Sequence, residues 1–388
     1  MTFSIDKSTW RKVRFGDVVN NLNDVVRDPS ALGIDRVIGL EHLDPGEMAV
    51  TRWDTLSDGT SFTRRVRPGQ TLFGKRRSYQ RKTAYASFDA ICSGDILVFY
   101  PKDPEVLLPE LLPFIASSNA FYEVALRTSA GSLSPRTRWS DMATFEFLLP
   151  PLAEQQRIAS LLWVVEGARR ANIERTATLT SAARSWVDQQ LGSLNVELVE
   201  FKSLWSQSPD SGCSAPPVGD AAGHRVLSLA ALTDAGYRPG QYKHVQPSDA
   251  MDKAMLSKGD LLISRANTVD AVGRAAIYPE TLKSLSFPDT MMRLHIDKDC
   301  VRPEYVVLVL MSRLGRQHMR RTAAGTSTSM VKINRQTLGR FQFPLLTISD
   351  QDELLSHYNL FADALTAAKS ETDAVASLLR AVQRELWG

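Results

Sequence analysis

The sequence is poor in the residues from which most catalytic sites and membrane anchors are built. Its three cysteines, Cys92, Cys213 and Cys300, are too far apart for a CxxC pair or for metal-ligand spacing, so a reduced, cytoplasmic compartment is expected. The longest apolar runs, such as Val306 to Met311, are far too short to span a bilayer. The stretch Met1 to Trp10 lacks the basic-then-apolar layout of a signal peptide. Six histidines, His42, His224, His244, His295, His318 and His357, are scattered without HxxxH spacing. There is no GxGxxG dinucleotide loop, and no Asn-Pro-Pro-aromatic or Asp-Pro-Pro-aromatic tetrapeptide of the kind that amino-methyltransferases use to hold a target base. Gly69 to Lys75 satisfies the GxxxxGK spacing of a phosphate loop. Arg76, however, stands where Ser or Thr must ligate Mg²⁺, and no helical pattern follows, so the match is a chance one. No catalytic constellation emerges, and a binding protein is favoured over an enzyme. A net charge of only +3 over 388 residues announces no polyanion partner by itself.

What the sequence does contain is an order that occurs twice. Arg36-Val37-Ile38-Gly39-Leu40 matches Arg225-Val226-Leu227-Ser228-Leu229 at an offset of 189, and Arg67 to Phe73 matches Ser257 to Ile263 at 190. Ala130-Gly131 matches Ala324-Gly325 at 194, and Phe145-Glu146-Phe147 matches Phe341-Gln342-Phe343 at 196. Four matches in one order, with a slowly rising offset, are what small insertions in a duplicated unit of about 190 residues produce. Each copy begins with short strand signals among turns. Trp10 to Val18 reads as a strand into a turn, Thr71 to Phe73 as a strand, and Ile96 to Tyr100 as a strand stopped by Pro101. Leu111 to Leu126 reads as a helix, and Ser206 to Gly223, rich in Ser, Pro and Gly, as a loop or inserted tip.

Each copy ends in a long helical pattern. Pro150 and Pro151 precede the first, which runs to about Leu191 without proline. At ~1.5 Å per residue, forty residues would be ~60 Å long, more than one domain could cover. In the second, Leu354, Tyr358, Phe361, Leu365, Ala368, Thr372, Val375, Leu379, Val382 and Leu386 keep a 4,3,4,3 spacing, a heptad seam that asks for a partner helix. Shifted back by 196 the seam becomes Ile158, Leu162, Val165, Arg169, Asn172, Thr176, Leu179, Ala183, Trp186 and Gln190, polar in its middle. The expected partner of each helix is the other, antiparallel. The fold class is therefore α+β: two mixed domains, 1–150 and 193–345, separated by two long antiparallel helices, 151–192 and 346–388, that form a coiled coil.

The charge is local. Between Asp58 and Asp89 there is no acidic residue, and between Glu304 and Asp350 again none. The first window holds Lys75, Arg76, Arg77, Arg81 and Lys82 beside Tyr79; the second holds Arg320, Arg321, Lys332 and Arg335 beside Asn334. Arg136 and Arg138, Arg265 and Asn267, and Thr326 and Ser327 lie in nearby polar stretches. Arg and Lys neutralise phosphates, and Arg, Asn and Gln make bidentate bonds to purine edges. These residues are the candidate DNA contacts; a solvated basic face is the alternative for either window alone.

The stretch Pro150-Pro151-Leu152-Ala153-Glu154-Gln155-Gln156-Arg157-Ile158 resembles the start of the central helix in the specificity subunits of type I restriction-modification systems. Arg77, Tyr79, Lys82, Phe88-Asp89, Ser93 and Asp95 to Val98 resemble a stretch of one class of their target-recognition domains. Gly259 to Ile263 and the Gly325 loop fit more loosely, and Thr347-Ile348-Ser349-Asp350-Gln351 departs from the Pro-Leu-x-Glu-Gln-Gln form. The resemblance covers nearly the whole chain. It implies a non-catalytic subunit in which each domain reads one half of a bipartite double-stranded DNA target, while the helices measure the spacer. It implies two methyltransferase subunits and, in some complexes, restriction and translocation subunits as partners. No cofactor is expected in this chain; S-adenosylmethionine, ATP and Mg²⁺ would be held by those partners. A stand-alone DNA-binding scaffold or regulator is the other reading.

Overall fold

A computed structural model of the protein describes residues 5–193, 196–219, 224–280, 282, 284–325 and 330–387. The chain forms two compact units, Met1–Arg175 with Ala368–Gly388, and Thr176–Ala367. No helix among the described residues is long and apolar enough to cross a membrane.

In the first unit, Val19–Leu22, Ile96–Pro101, Thr71–Gly74 and Thr83–Tyr85 form a four-stranded sheet in that order. In the second, Trp205–Ser211, Met291–Ile296, Leu261–Ser264 and Ala275–Ile277 do the same. The central registers agree, while the edge strand Trp205–Ser211 carries register shifts that Val19–Leu22 does not. Thr71 faces Phe99 and Phe73 faces Leu97; Leu261 faces Leu294 and Ile263 faces Met292. A smaller sheet repeats as well, with Val37 parallel to Ile91 in one unit and Val226 parallel to Ser286 in the other. The duplication expected from the sequence is present in hydrogen-bond pattern, where sequence identity has largely gone.

The same elements fix the same aromatic cores. Phe15 donates its N–H to Phe145 O at 2.7 Å, and Phe201 donates to Phe341 O at 2.9 Å. Phe15, Phe73, Phe99, Phe121 and Phe147 fill the first core; Phe201, Tyr305, Phe341 and Phe343 fill the second. The helix expected over Leu111 to Leu126 is two, Leu112–Ala116 and Asn119–Thr128. Ser118 is the reason: its side chain accepts the Phe121 N–H at 3.3 Å and starts a new helix. Ser312 does the same for Gly315 in the second unit. The stretch expected to be a loop from Ser206 is in part a strand, Trp205–Ser211, at the edge of its sheet. Its proline, Pro209, is tolerated because an edge strand with register shifts does not need every N–H. Of that stretch, residues 220–223 lie outside the described residues.

The two long helices are Leu152–Ser193 and Ile348–Trp387, antiparallel to each other. Ile158 and Leu162 pack with Leu379, Leu386 and Trp387 in the first unit. Val187 and Trp186 pack with Leu354 and Tyr358 in the second, and the Trp186 and Phe361 rings lie 5.7 Å apart. Every position of the two seams is buried or half-buried, so the heptad spacing in the sequence does mark the contact face. The second helix begins without a proline. Thr347 caps it, with its hydroxyl accepting the Asp350 N–H at 3.2 Å and donating to the Asp350 carboxylate at 2.7 Å.

Candidate nucleic-acid interface

In the first unit the strand Thr71–Gly74 runs into a turn, Ser78–Gln80, flanked by Arg77 and Arg81. Both arginines adopt left-handed backbone, with φ of 54° and 53°. That conformation costs a non-glycine residue ~1–2 kcal/mol and persists where the surroundings impose it. Here the surroundings are a second loop. Arg76 bridges Arg136, Arg136 bridges Ala130, and the Arg77 N–H donates to Pro135 O at 2.7 Å. The two loops that the sequence placed apart, around Lys75 to Lys82 and Arg136 to Arg138, thus form one surface.

Asp95 organises that surface. Its carboxylate accepts from Arg136 Nε at 3.0 Å and from Arg76 Nη1 at 3.4 Å. Burial raises its pKa, but the hydrogen bonds from Arg136 and Arg76 outweigh burial and hold it below the usual carboxylate range. Burial, followed by the nearby Arg64 charge, lowers the Lys75 ammonium. The acid-free window is therefore not acid-free in space: Asp24, Asp89 and Asp95 pair with Arg67, Arg65 and Arg76. Arg81 donates to Asn119 Oδ1 at 2.5 Å and lies over the Tyr122 ring, and Lys82 Nζ donates to Leu40 O at 2.6 Å. These two are held by the fold. Tyr79, 57% exposed, faces solvent with Arg77 and Arg138 and, among the described residues, without such a tether; Arg81 and Arg136 are exposed too, but each is tied to a neighbour.

The second unit repeats the pairing with different side chains. Ala266 pairs with Lys332 and Asn267 with Val331, and the Ile333 N–H donates to Arg265 O at 2.9 Å. Arg265, Asn334 and Arg335 line one open concavity of about 280 Å³ with Ser211, Met292 and Gln336. Asn334 caps the helix Arg335–Gly339, and Arg335 donates to Pro209 O at 2.7 Å and to Ser211 Oγ at 3.2 Å. Asn267 donates to Ser264 Oγ. Arg320 pairs with Asp270 at 3.2 Å on the surface, and Arg321 and Lys332 are exposed. Arg320 and Arg321 sit on the helix Arg313–Thr322 and do not line the concavity. Thr326 and Ser327, with Thr328 and Ser329, lie outside the described residues. The organising role of Asp95 is not legible in the sequence, where it enters only as an acid beyond a basic window and as part of the Asp95 to Val98 stretch of the family resemblance.

Glu41, His42 and Asp54 come within metal-ligand distance of one another. His42 Nδ1 accepts the Gly39 N–H at 2.9 Å, so the ring proton sits on Nε2, 3.4 Å from Asp54. That leaves no lone pair for a cation, and the group fits an ordinary His–Asp contact.

No family profile matches the sequence. Among curated proteins the chain is 23% identical over 336 residues to the StySPI type I restriction enzyme specificity subunit of Salmonella potsdam, covering 79% of this chain and 68% of that one. It is 25% identical over 156 residues to the EcoDI specificity subunit of Escherichia coli, spanning 33% of that protein. Among solved structures it superimposes on a chain from a study of complex assembly and conformational transition of the type I R-M system with TM-score 0.55 at 18% identity, covering 98% and 97% of the two chains. The S subunit of a type I restriction-modification system from M. genitalium gives TM-score 0.52 at 11% identity, covering 100% and 98%. At these identities the structural likeness is one of fold.

Proposed function

We propose that this chain, a relative of the type I restriction specificity subunits by sequence and by fold, is the DNA-reading subunit of such a complex. Each unit reads one half of a bipartite double-stranded site. The observation that carries this reading is the duplicated interface: in each unit the segment after the third strand of the larger sheet pairs with a later segment, Arg76 with Arg136 in the first and Ala266 and Asn267 with Lys332 and Val331 in the second, and both decorate that pairing with cations. The first uses Arg77, Tyr79 and Arg138; the second uses Arg265, Lys332, Asn334 and Arg335. Phosphate contacts from the cations would set register, and Asn334 and the arginines are of the types that read purine edges.

Two equivalent exposed apolar positions on the long helices, Val164 at 70% and Leu360 at 68%, fit the docking of two identical methyltransferase subunits, one per unit. Catalysis, S-adenosylmethionine, ATP and Mg²⁺ would then belong to those chains and to a restriction subunit, in the cytoplasm where the DNA is. The test is deletion of this chain from its host, and its co-expression with a type I methyltransferase subunit, each followed by methylation mapping of the genome. A two-part, asymmetric, adenine-methylated motif that vanishes without this chain is the expected result; unchanged methylation on its deletion overturns the reading.

A further inference from the structure

The helix Leu152–Ser193 carries one charged cluster on its packing seam. Arg169 is 8% exposed and Glu166 only 1%. Arg169 Nε and Nη2 donate to the two oxygens of Glu166, both at 2.8 Å, while Nη1 and Nη2 donate to the two oxygens of Glu47 at 3.0 and 2.8 Å. One guanidinium is thus bidentate to a carboxylate of its own helix and to one on a loop of the domain. The hydrogen bonds it donates to Glu166, opposed by burial, raise the Arg169 pKa further. Such a fork fixes direction as well as distance. As a source of stability it is poor, because desolvation of three ions offsets much of the Coulombic gain. Nor does helix pairing require it: the corresponding positions of the second helix are Ala362 and Leu365.

The bonds on the far side of Glu47 lead to the reading turn. Tyr85 donates its N–H to Met48 O at 2.7 Å, and the Gly46 N–H reaches Arg81 O at 3.4 Å. Arg81 closes the turn that exposes Tyr79, and its left-handed backbone needs support from its neighbours. Long helix, Glu47 loop and reading turn are one connected series of polar contacts within the first unit.

The geometry points to the Arg169–Glu47 pair as a positioning device. It sets the angle at which the Arg77–Arg81 turn is presented relative to the long helix, and so the half-site spacing that the first unit accepts. The inference rests on the DNA-reading function proposed above. Arg169 and Glu47 are positioning residues and act through the turn. No counterpart of the cluster exists at Ala362 and Leu365, so the effect belongs to one half-site.

The experiment uses the full chain with its methyltransferase subunits and duplexes carrying the mapped target with its native spacer, one base pair more, or one fewer. Methylation rates are compared for the wild type, Glu47→Gln and Glu47→Asp. Glu47→Gln keeps the Arg169–Glu166 pair and the side-chain volume, so the fold is retained; thermal unfolding checks this. Preference for the native spacer is expected to fall about tenfold in Glu47→Gln, the size of a coupling between contacting groups, and less in Glu47→Asp. Spacer preference unchanged in both variants, or a rate loss equal on all three duplexes, overturns the positioning role. A wild-type complex with no preference for any bipartite duplex overturns the DNA-reading function itself, and the positioning role with it.

Discussion

Gln351 repeats, 196 positions on, the three hydrogen bonds of Gln155. Gln155 Nε2 donates to Pro150 O and Val106 O, both at 2.9 Å, and its Oε1 accepts the Leu108 N–H at 2.8 Å. Gln351 Nε2 donates to Leu346 O at 2.9 Å and Cys300 O at 3.1 Å, and its Oε1 accepts the Arg302 N–H at 2.7 Å. Each glutamine, 1% or less exposed, pins the start of a long helix to the loop before the helices of its own domain. Replacement of either by leucine strands three backbone groups with little access to water. We expect a loss of about 3 kcal/mol for each, at roughly 1 kcal/mol per bond, additive in the double variant because the sites share no partner. Urea unfolding monitored by circular dichroism measures it.

Arg77→Ala and Lys332→Ala remove exposed cations from the two candidate surfaces. Each is expected to weaken binding to one half of the mapped target and to reduce the slope of log K against log salt by about 0.9 for each phosphate no longer neutralised. Fluorescence anisotropy over a salt series with half-scrambled duplexes reads both effects. Loss at both halves from a single substitution would refute the assignment of one reader per unit.

Asp95 gives the first surface its pH dependence. Because its folded pKa lies below the ordinary 3.8, its contribution to stability is fully present above that value and disappears as pH falls through the folded pKa. The paired loops should therefore be unaffected by this group from pH 5 to 8 and loosen below about pH 4. Asp95→Asn should show the loosened state already at pH 7, seen as faster amide exchange at Arg77 and Arg136, with little change at the second unit.

Val164→Ser and Leu360→Ser should leave thermal unfolding almost unmoved, since both side chains are already in water. They should each lower the number of methyltransferase subunits bound from two to one, as measured by mass photometry. Retention of two subunits in the double variant would place docking elsewhere.

Much of this architecture was legible in the sequence because its signals are periodic. The heptad seam from Leu354 to Leu386 and its copy from Ile158 mark the positions that the fold covers, and every one of them is buried or half-buried; the polar Arg169 is covered by Glu47 of the domain. The candidate surface was legible only as composition. Lys82 and Arg81 belong to a basic window, yet a carbonyl of Leu40 and the amide of Asn119 hold them. The acids that neutralise Arg65, Arg67 and Arg76 come from outside that window, and only the fold brings them in. Pro209 hid a strand for a similar reason: the edge position that permits it is a property of the sheet.

The two long helices begin at the same register by different chemistry. Pro151 stands before Leu152 and its carbonyl accepts the Glu154 and Gln155 N–H groups, whereas the Thr347 hydroxyl caps the helix that starts at Ile348. A shared letter sequence is therefore not what descent from one unit has preserved here; what survives is the position of the first turn and the glutamine at its fourth residue. Repeats of this kind will be missed by searches for the proline motif, and found by asking where a long amphipathic helix is followed, on its fourth residue, by a buried amide.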